Sequence, residues 1–463
     1  MKPEATVDSP VESGQLDPDD SRSIRQNSVW NALQQVSNLA SGSVFAIVLA
    51  WVLPLREYGV YSYALALCTV GFAVTTAGLN GLGIKYIVAE GMRGTRSVAA
   101  ILLIREMFCV VTYLILGAIS FTSHDKLTTV ASLVALSSLF VRALDAPELW
   151  YMAHMRSRRT AMIRVITVTL MVVVRVVGIL VLPNLWLFIG IFLAETAVAS
   201  LWILWRFWFD PDTPAMSRPA TTEIRSMLSE SSPLALSAIA DQANQRAAIV
   251  IIQPMMGSVS VGVYSLAARV SELAYFLPIV IMNATLPVLL RALDDSRRTG
   301  SDLKYRRMLQ VAYDKTFQFG LGIAIVVTAV CLSPVKHLVS ADLQPVFGVL
   351  AIHIWASPFV FMGAVYSKWI IAEGYLWSSL VRHGVGAVAN IALNFVLIPH
   401  WGLNGAALAT VVSYSVSNYF ACFLGKQSRR QGYSMTRAFV SPFTDLARLA
   451  RRPRAPKQDN DTG

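Results

Sequence analysis

Runs of about twenty apolar residues recur along this chain, and a helix of that length crosses the hydrocarbon core of a bilayer. They fall near residues 29–53, 59–80, 97–121, 127–153, 161–183, 184–209, 230–253, 259–290, 311–333, 345–371, 377–398 and 402–424. The pattern predicts an all-α integral membrane protein with about twelve transmembrane helices. Deep within the runs stand Arg142, Arg175, Arg246 and Arg269, with Asp145, Glu195, Asp241 and Glu272 at similar depth. A guanidinium near the bilayer midplane costs about 2.5–3.5 kcal/mol even on the lenient insertion scale. Spans carrying such groups must turn them toward one another or toward a wet cavity, away from lipid.

A faint repeat divides the pattern. Gly59-Val60-Tyr61-Ser62 opens the second span, and Gly262-Val263-Tyr264-Ser265 lies near the start of the eighth, each after an apolar helix and a short outer loop. Pro183 before the sixth span and Pro399 before the twelfth mark another matching position. Six spans plus six predict two lobes related by an axis along the membrane normal. The expected organisation is a disordered cytoplasmic tail over 1–25, a first lobe over 26–209, and a cytoplasmic linker over 210–229 with Pro211, Pro214 and Pro219. A second lobe over 230–424 and a basic cytoplasmic tail over 425–463 follow. The first 25 residues have no basic start feeding a short apolar core, so they do not read as a cleaved signal.

Composition agrees with a membrane chain: 55% of residues are hydrophobic and 14% charged, where a soluble domain carries about 25% charged. The net charge of +11 could suggest nucleic acid, but its placement argues otherwise. With a cytoplasmic N-terminus, 26 of the 39 Lys and Arg fall in cytoplasmic segments, ten within the spans as bounded above, and three (Arg56, Lys126, Lys336) in outer loops. This positive-inside asymmetry places both termini in the cytoplasm. Tryptophans at predicted span ends, such as Trp51, Trp186, Trp205 and Trp401, suit the interfacial belt. The basic end from Lys426 reads as a topology anchor or as a contact with anionic lipid. Cys68, Cys109, Cys331 and Cys422 lie within spans without metal-ligand spacing and read as small buried hydrophobes. No Gly-Lys-Ser/Thr phosphate loop and no soluble domain is present, so ATP hydrolysis, a metal and a cofactor are not expected, and the chain does not read as an enzyme. Uphill work would draw on an ion gradient or on the substrate's own.

The densest polar patch is Asp241-Gln242-Ala243-Asn244-Gln245-Arg246 in the seventh span. Helical spacing sets Asp241, Asn244 and Gln245 on one face, which lines a cavity or closes an interhelical hydrogen-bond cluster. Arg269 and Glu272 in the eighth span, and Arg142 and Asp145 in the fourth, stand at i,i+3 and can pair. Glu148 lies nearer the cytoplasmic surface. Arg175 and Glu195 have no charged neighbour on their own helices, and a bridge between the two is one solution. Asn31, Gln34, Gln35, Asn38 and Ser41 give the first span a mildly polar face. His383 falls near a cytoplasmic end and reads as interfacial, and the pairs Arg105-Glu106 and Asp314-Lys315 read as interfacial or structural.

Three stretches carry a family resemblance: Leu53 to Gly83, Gly257 to Leu289, and Ile398 to Ser413. From Asn27 to about Leu424 the chain resembles Wzx-type polysaccharide flippases of the multidrug/oligosaccharidyl-lipid/polysaccharide (MOP) superfamily. None of the stretches is a catalytic signature; each is a diffuse packing pattern. The resemblance implies two six-helix lobes in a V with a solvated cavity between them. It implies transfer of a polyprenyl-diphosphate-linked oligosaccharide from the inner to the outer leaflet of the cell membrane for cell-surface or exopolysaccharide biosynthesis. It also implies work beside a polysaccharide polymerase and a chain-length regulator. Arg142, Arg175, Arg246 and Arg269, with Asn244 and Gln245, are the residues expected to hold the anionic headgroup, because guanidinium forks match phosphate oxygens. Asp241, Glu272, Glu195 and Asp145 are those expected to take up H⁺ or Na⁺ and reset the cycle. A cation-coupled multidrug exporter of the same superfamily is the competing reading, although cationic cargo favours an excess of acid. A membrane polymerase or ligase would carry a long outer loop, whereas the longest here spans about ten residues near Pro334–Gln344.

Overall fold

The computed structural model describes residue 42, residues 44–91 and residues 95–450. The amide face read in the first span (Asn31, Gln34, Gln35, Asn38, Ser41) lies outside the described residues, as do the tail over 1–25 and residues 451–463.

All described elements are helical. The first lobe comprises α1 (Phe45–Val52), α2 (Leu55–Thr76), α3 (Leu79–Glu90), α4 (Arg96–Ser120), α8 (Ser157–Val181), α9 (Leu185–Phe209) and a fourth crossing broken into three pieces. Those pieces are α5 (Lys126–Leu136), α6 (Ser138–Ala143) and α7 (Glu148–Ala153). Local chemistry sets the ends. Asp125 caps α5 by accepting from the Leu127 amide at 3.3 Å, and Asn184 caps α9 through the Leu187 amide at 2.8 Å. Pro147, which has no amide hydrogen, stands where α7 begins.

The second lobe comprises α10 (Thr221–Thr299), α11 (Leu303–Leu332), α12 (Gln344–His353), α13 (Ser357–Glu373) and α14 (Leu376–Asn418). Both α10 and α14 are two helices folded back at a glycine, Gly257 (φ 80°) and Gly402 (φ 55°). Arg246 and Glu272 bond at 2.7 Å across the Gly257 turn, whereas 26 residues of straight helix would hold them about 39 Å apart. Across the Gly402 turn, Asn390 Nδ2 donates to Ser413 Oγ at 2.8 Å. Only glycine enters these left-handed conformations without strain.

Among the described residues nine helical stretches are long and apolar enough to span a membrane. Thr221–Pro278 and Trp377–Phe423 are the two hairpins and supply two crossings each. Among the described residues these make eleven crossings, and α1 is the described end of one more apolar run of the sequence, which agrees with about twelve. The expected linker is shorter than predicted, because α10 starts at Thr221 and not at residue 230. Polar helix projecting beyond the hydrocarbon leaves no apolar run to read. The basic tail likewise holds a helix, α15 (Arg429–Ala450), which buries Met435 and Ala438 in a cluster with Tyr313, Met362 and Tyr366.

The repeated tetrapeptides meet at the seam between the lobes. A Cβ on Gly59 would stand 1.7 Å from the carbonyl oxygen of Ser258, and one on Gly262 would stand 2.5 Å from that of Leu55. Ser258 precedes Gly262 by four residues and Leu55 precedes Gly59 by four, so the contact is reciprocal, as across a two-fold axis. The seam is held again at the other end of α2. Gly78, itself left-handed at φ 69°, lies against the backbone of Ser231 and Ala235, while Lys85 bonds Glu230 at 3.2 Å and Tyr86 bonds it at 2.9 Å.

Candidate functional site

A cavity of about 330 Å³ opens from the first lobe toward the second, lined by Arg142, Arg164, Arg175 and Glu195 of the first lobe and reached from the second by Arg269. Phe45, Tyr61 and Phe192 give it aromatic walls. A second space of about 270 Å³ shares Arg142 and Arg164 and extends past Asn80, Arg105, Asp145 and Glu148. A polar tract therefore runs through the first lobe and opens on the second.

The carboxylates of this tract are already engaged by guanidinium groups. Asp145 accepts from Arg105 Nη1 and from Arg164 Nη2, both at 2.7 Å, and Glu148 is gripped by Arg164. Arg175 pairs with Glu195 and stacks on Phe45, its guanidinium 4.5 Å from the ring centroid. Glu272 is shared by Arg246 at 2.7 Å and Arg269 at 2.9 Å. The sequence spacing anticipates an Arg142–Asp145 pair, and the structure does not form it. Helix α6 ends at Ala143, so the i,i+3 alignment of a continuous helix is lost. Arg142 instead projects, exposed, into the cavity, stacked on Phe72 at 4.2 Å and with no carboxylate in ion-pair reach among the described residues. Six arginines face four carboxylates across the tract, which leaves a formal excess of two positive charges.

Asp241, Asn244 and Gln245 do not line the arginine-lined cavity. Gln245 Nε2 donates to Asp241 Oδ2 at 3.0 Å, and Asn244 is buried with an unpartnered Oδ1. His383 Nδ1 stands 3.0 Å from Asp241 Oδ1. His383 is half-buried, and the adjacent Arg382 is buried beneath α13, donating to Gly363 O at 3.3 Å and to Ser367 Oγ at 2.9 Å. Arg382 Nε also donates to His383 Nε2 at 3.2 Å, which leaves the ring hydrogen on Nδ1, facing Asp241. Arg105, read as interfacial or structural, is buried and belongs to the tract.

Residues 24–293, more than half of the chain, match the family model described as "Polysaccharide biosynthesis protein". The chain belongs to this polysaccharide biosynthesis protein family. No curated protein matches it at a significant level. Solved structures share the fold at low identity. An inward-facing multidrug resistance MATE family transporter of the MOP superfamily is 15% identical with a TM-score of 0.65, covering 89% of this chain and 96% of its own. The lipid II flippase MurJ, in an inward closed conformation, is 15% identical at TM-score 0.64, covering 92% and 94%. A MOP superfamily transporter from Pyrococcus furiosus, described as having a binding pocket of reverse polarity, is 16% identical at TM-score 0.52, covering 91% and 95%. These likenesses show the fold alone: a multi-pass, two-lobed helical architecture shared with those structures.

Two site residues of this family member escape the sequence reading. Arg164 lies three residues inside the predicted fifth span and Arg382 five inside the eleventh, so depth assigns both to the cytoplasmic ends, where a long side chain reaches water. Arg164 turns inward to bond two acids, and Arg382 is covered by α13. The available signal is charge balance: Asp145 and Glu148 on one short stretch need more cation than Arg142 supplies.

Proposed function

We propose that the chain flips a polyprenyl-diphosphate-linked oligosaccharide from the inner to the outer leaflet for cell-surface or exopolysaccharide biosynthesis. The observation that carries this reading is the cavity lined by arginines of both lobes, whose carboxylates are already neutralised and whose balance is positive. A diphosphate offers two or more negative charges and several acceptor oxygens to such a site. The headgroup would bridge Arg142 and Arg269 and draw the lobes together, while the polyprenyl tail stays in lipid. Alternating access then follows from rocking about the α2–α10 seam. Asp241, beside His383 and free of a direct guanidinium bond, is the carboxylate best placed to take up a coupling H⁺ or Na⁺. Polymerase and chain-length regulator would act on the product outside. The positive lining disfavours the lipophilic cations that a multidrug exporter carries.

Deletion of the chain should accumulate lipid-linked oligosaccharide in the inner leaflet and abolish surface polymer. Arg142→Ala and Arg269→Ala should reproduce the defect at normal expression. Normal export by both variants would end the cationic-site reading.

A further inference from the structure

Away from the arginine-lined cavity, a space of about 1170 Å³ opens where the end of α10, the start of α11 and the end of α13 meet α15. It lies on the side that the charge asymmetry assigns to the cytoplasm. Two of its three acids are paired, Glu373 with Arg297 at 3.6 Å and Asp302 with Arg306, while Asp314 accepts from the neutral Gln310 Nε2 at 2.8 Å, so six cations face three carboxylates. Arg307, Lys426, Arg430 and Arg437 also line it, exposed and without a carboxylate partner among the described residues. Four cations from separate segments thus surround one space, where they repel one another until an anion enters.

The rest of the lining indicates which anion. Leu303, Val311 and Tyr433 line the same space and are solvent-exposed large side chains. On α15, Tyr433, Val440 and Phe443 form an exposed apolar strip at helical spacing, beside Arg430 and Arg437. A helix with this pairing of an apolar strip and flanking cations lies in the membrane interface, its cations at headgroup level. A free phosphate would satisfy the cations and leave the apolar rim bare. We propose that this cavity binds the phosphate headgroup of an anionic phospholipid of the cytoplasmic leaflet, with the glycerol and upper acyl chain against Leu303, Val311 and Tyr433. The site is separate from the arginine-lined cavity and does not depend on the identity of the cargo.

The test is thermal unfolding of the purified full-length chain in neutral detergent with added phosphatidylglycerol, phosphatidylcholine or inorganic phosphate. Phosphatidylglycerol should raise the wild-type Tm by several degrees, and the other two should leave it unchanged. Arg430→Gln/Arg437→Gln should lose most of that shift, and so should Arg307→Gln, which lies on α11 and leaves the docking of α15 untouched. Arg429→Gln, on α15 but not lining the cavity, should keep it. Each variant is scored by the shift from its own baseline, so a lowered starting Tm does not obscure the result. The proposal is overturned by an absent wild-type shift, by equal shifts in wild type and the cavity variants, or by an equal shift from inorganic phosphate, which would make this a soluble-anion site.

Discussion

Arg142 differs from its neighbours in the tract because no carboxylate holds it, so its removal should cost function without costing stability. A charge-assisted hydrogen bond to a bound anion is worth about 1.5–3 kcal/mol. Arg142→Ala should therefore slow flipping of a fluorescent diphosphate lipid in proteoliposomes roughly ten- to hundred-fold while the melting temperature holds. Arg142→Lys should recover only part, since a point charge lacks the planar fork. The opposite holds for Arg175 and Glu195. Glu195→Ala removes the carboxylate paired with the buried Arg175 and should destabilise by about 3–5 kcal/mol, whereas the double change to Met and Leu should be far milder. Thermal unfolding of the two single variants and the double variant decides it; additive losses would mean that the pair is not coupled. The depth of both arginines was readable from the sequence. Which one is free was not, because that depends on where α6 breaks and on whether Arg164 turns inward to take Asp145.

Among the elements, α2 carries the contacts that close the molecule. Its Gly59 and the matching Gly262 of α10 allow a backbone approach that any side chain would block. Gly262→Val should wedge the outer ends of the lobes apart. Spin labels near Arg56 and Ser260 should then report a longer distance and transport should fall; an unchanged distance would refute the seam. At the other end, Tyr86→Phe with Glu230→Gln removes the polar latch seen between α3 and α10. That change should widen the cytoplasmic side and raise the accessibility of a cysteine placed there. The repeat of Gly-Val-Tyr-Ser announced that two elements correspond. It did not announce that they touch, since correspondence is a property of sequence and contact is a property of packing.

For the molecule as a whole, about twelve crossings in two lobes enclose a tract with an excess of two positive charges. A polyprenyl diphosphate should accordingly stabilise the purified protein more than the monophosphate, and a lipophilic cation should not stabilise it at all. Thermal shifts with the three ligands rank them. A cation that outperformed the diphosphate would favour the drug-export reading.

The apolar runs, the basic excess on one side and the buried arginines follow from composition and order along the chain, because a bilayer allows only helices to bridge it here and penalises every charge within it. Those features determined the fold class and predicted the orientation and a cationic interior. Tertiary structure alone decided the partners. It joined Asp145 to Arg105 and Arg164, set His383 beside Asp241, and left Arg142 open to the cavity. Pairing energy depends on which helices adjoin and how each is rotated, and neither is written in the period of a helix that is apolar nearly all round.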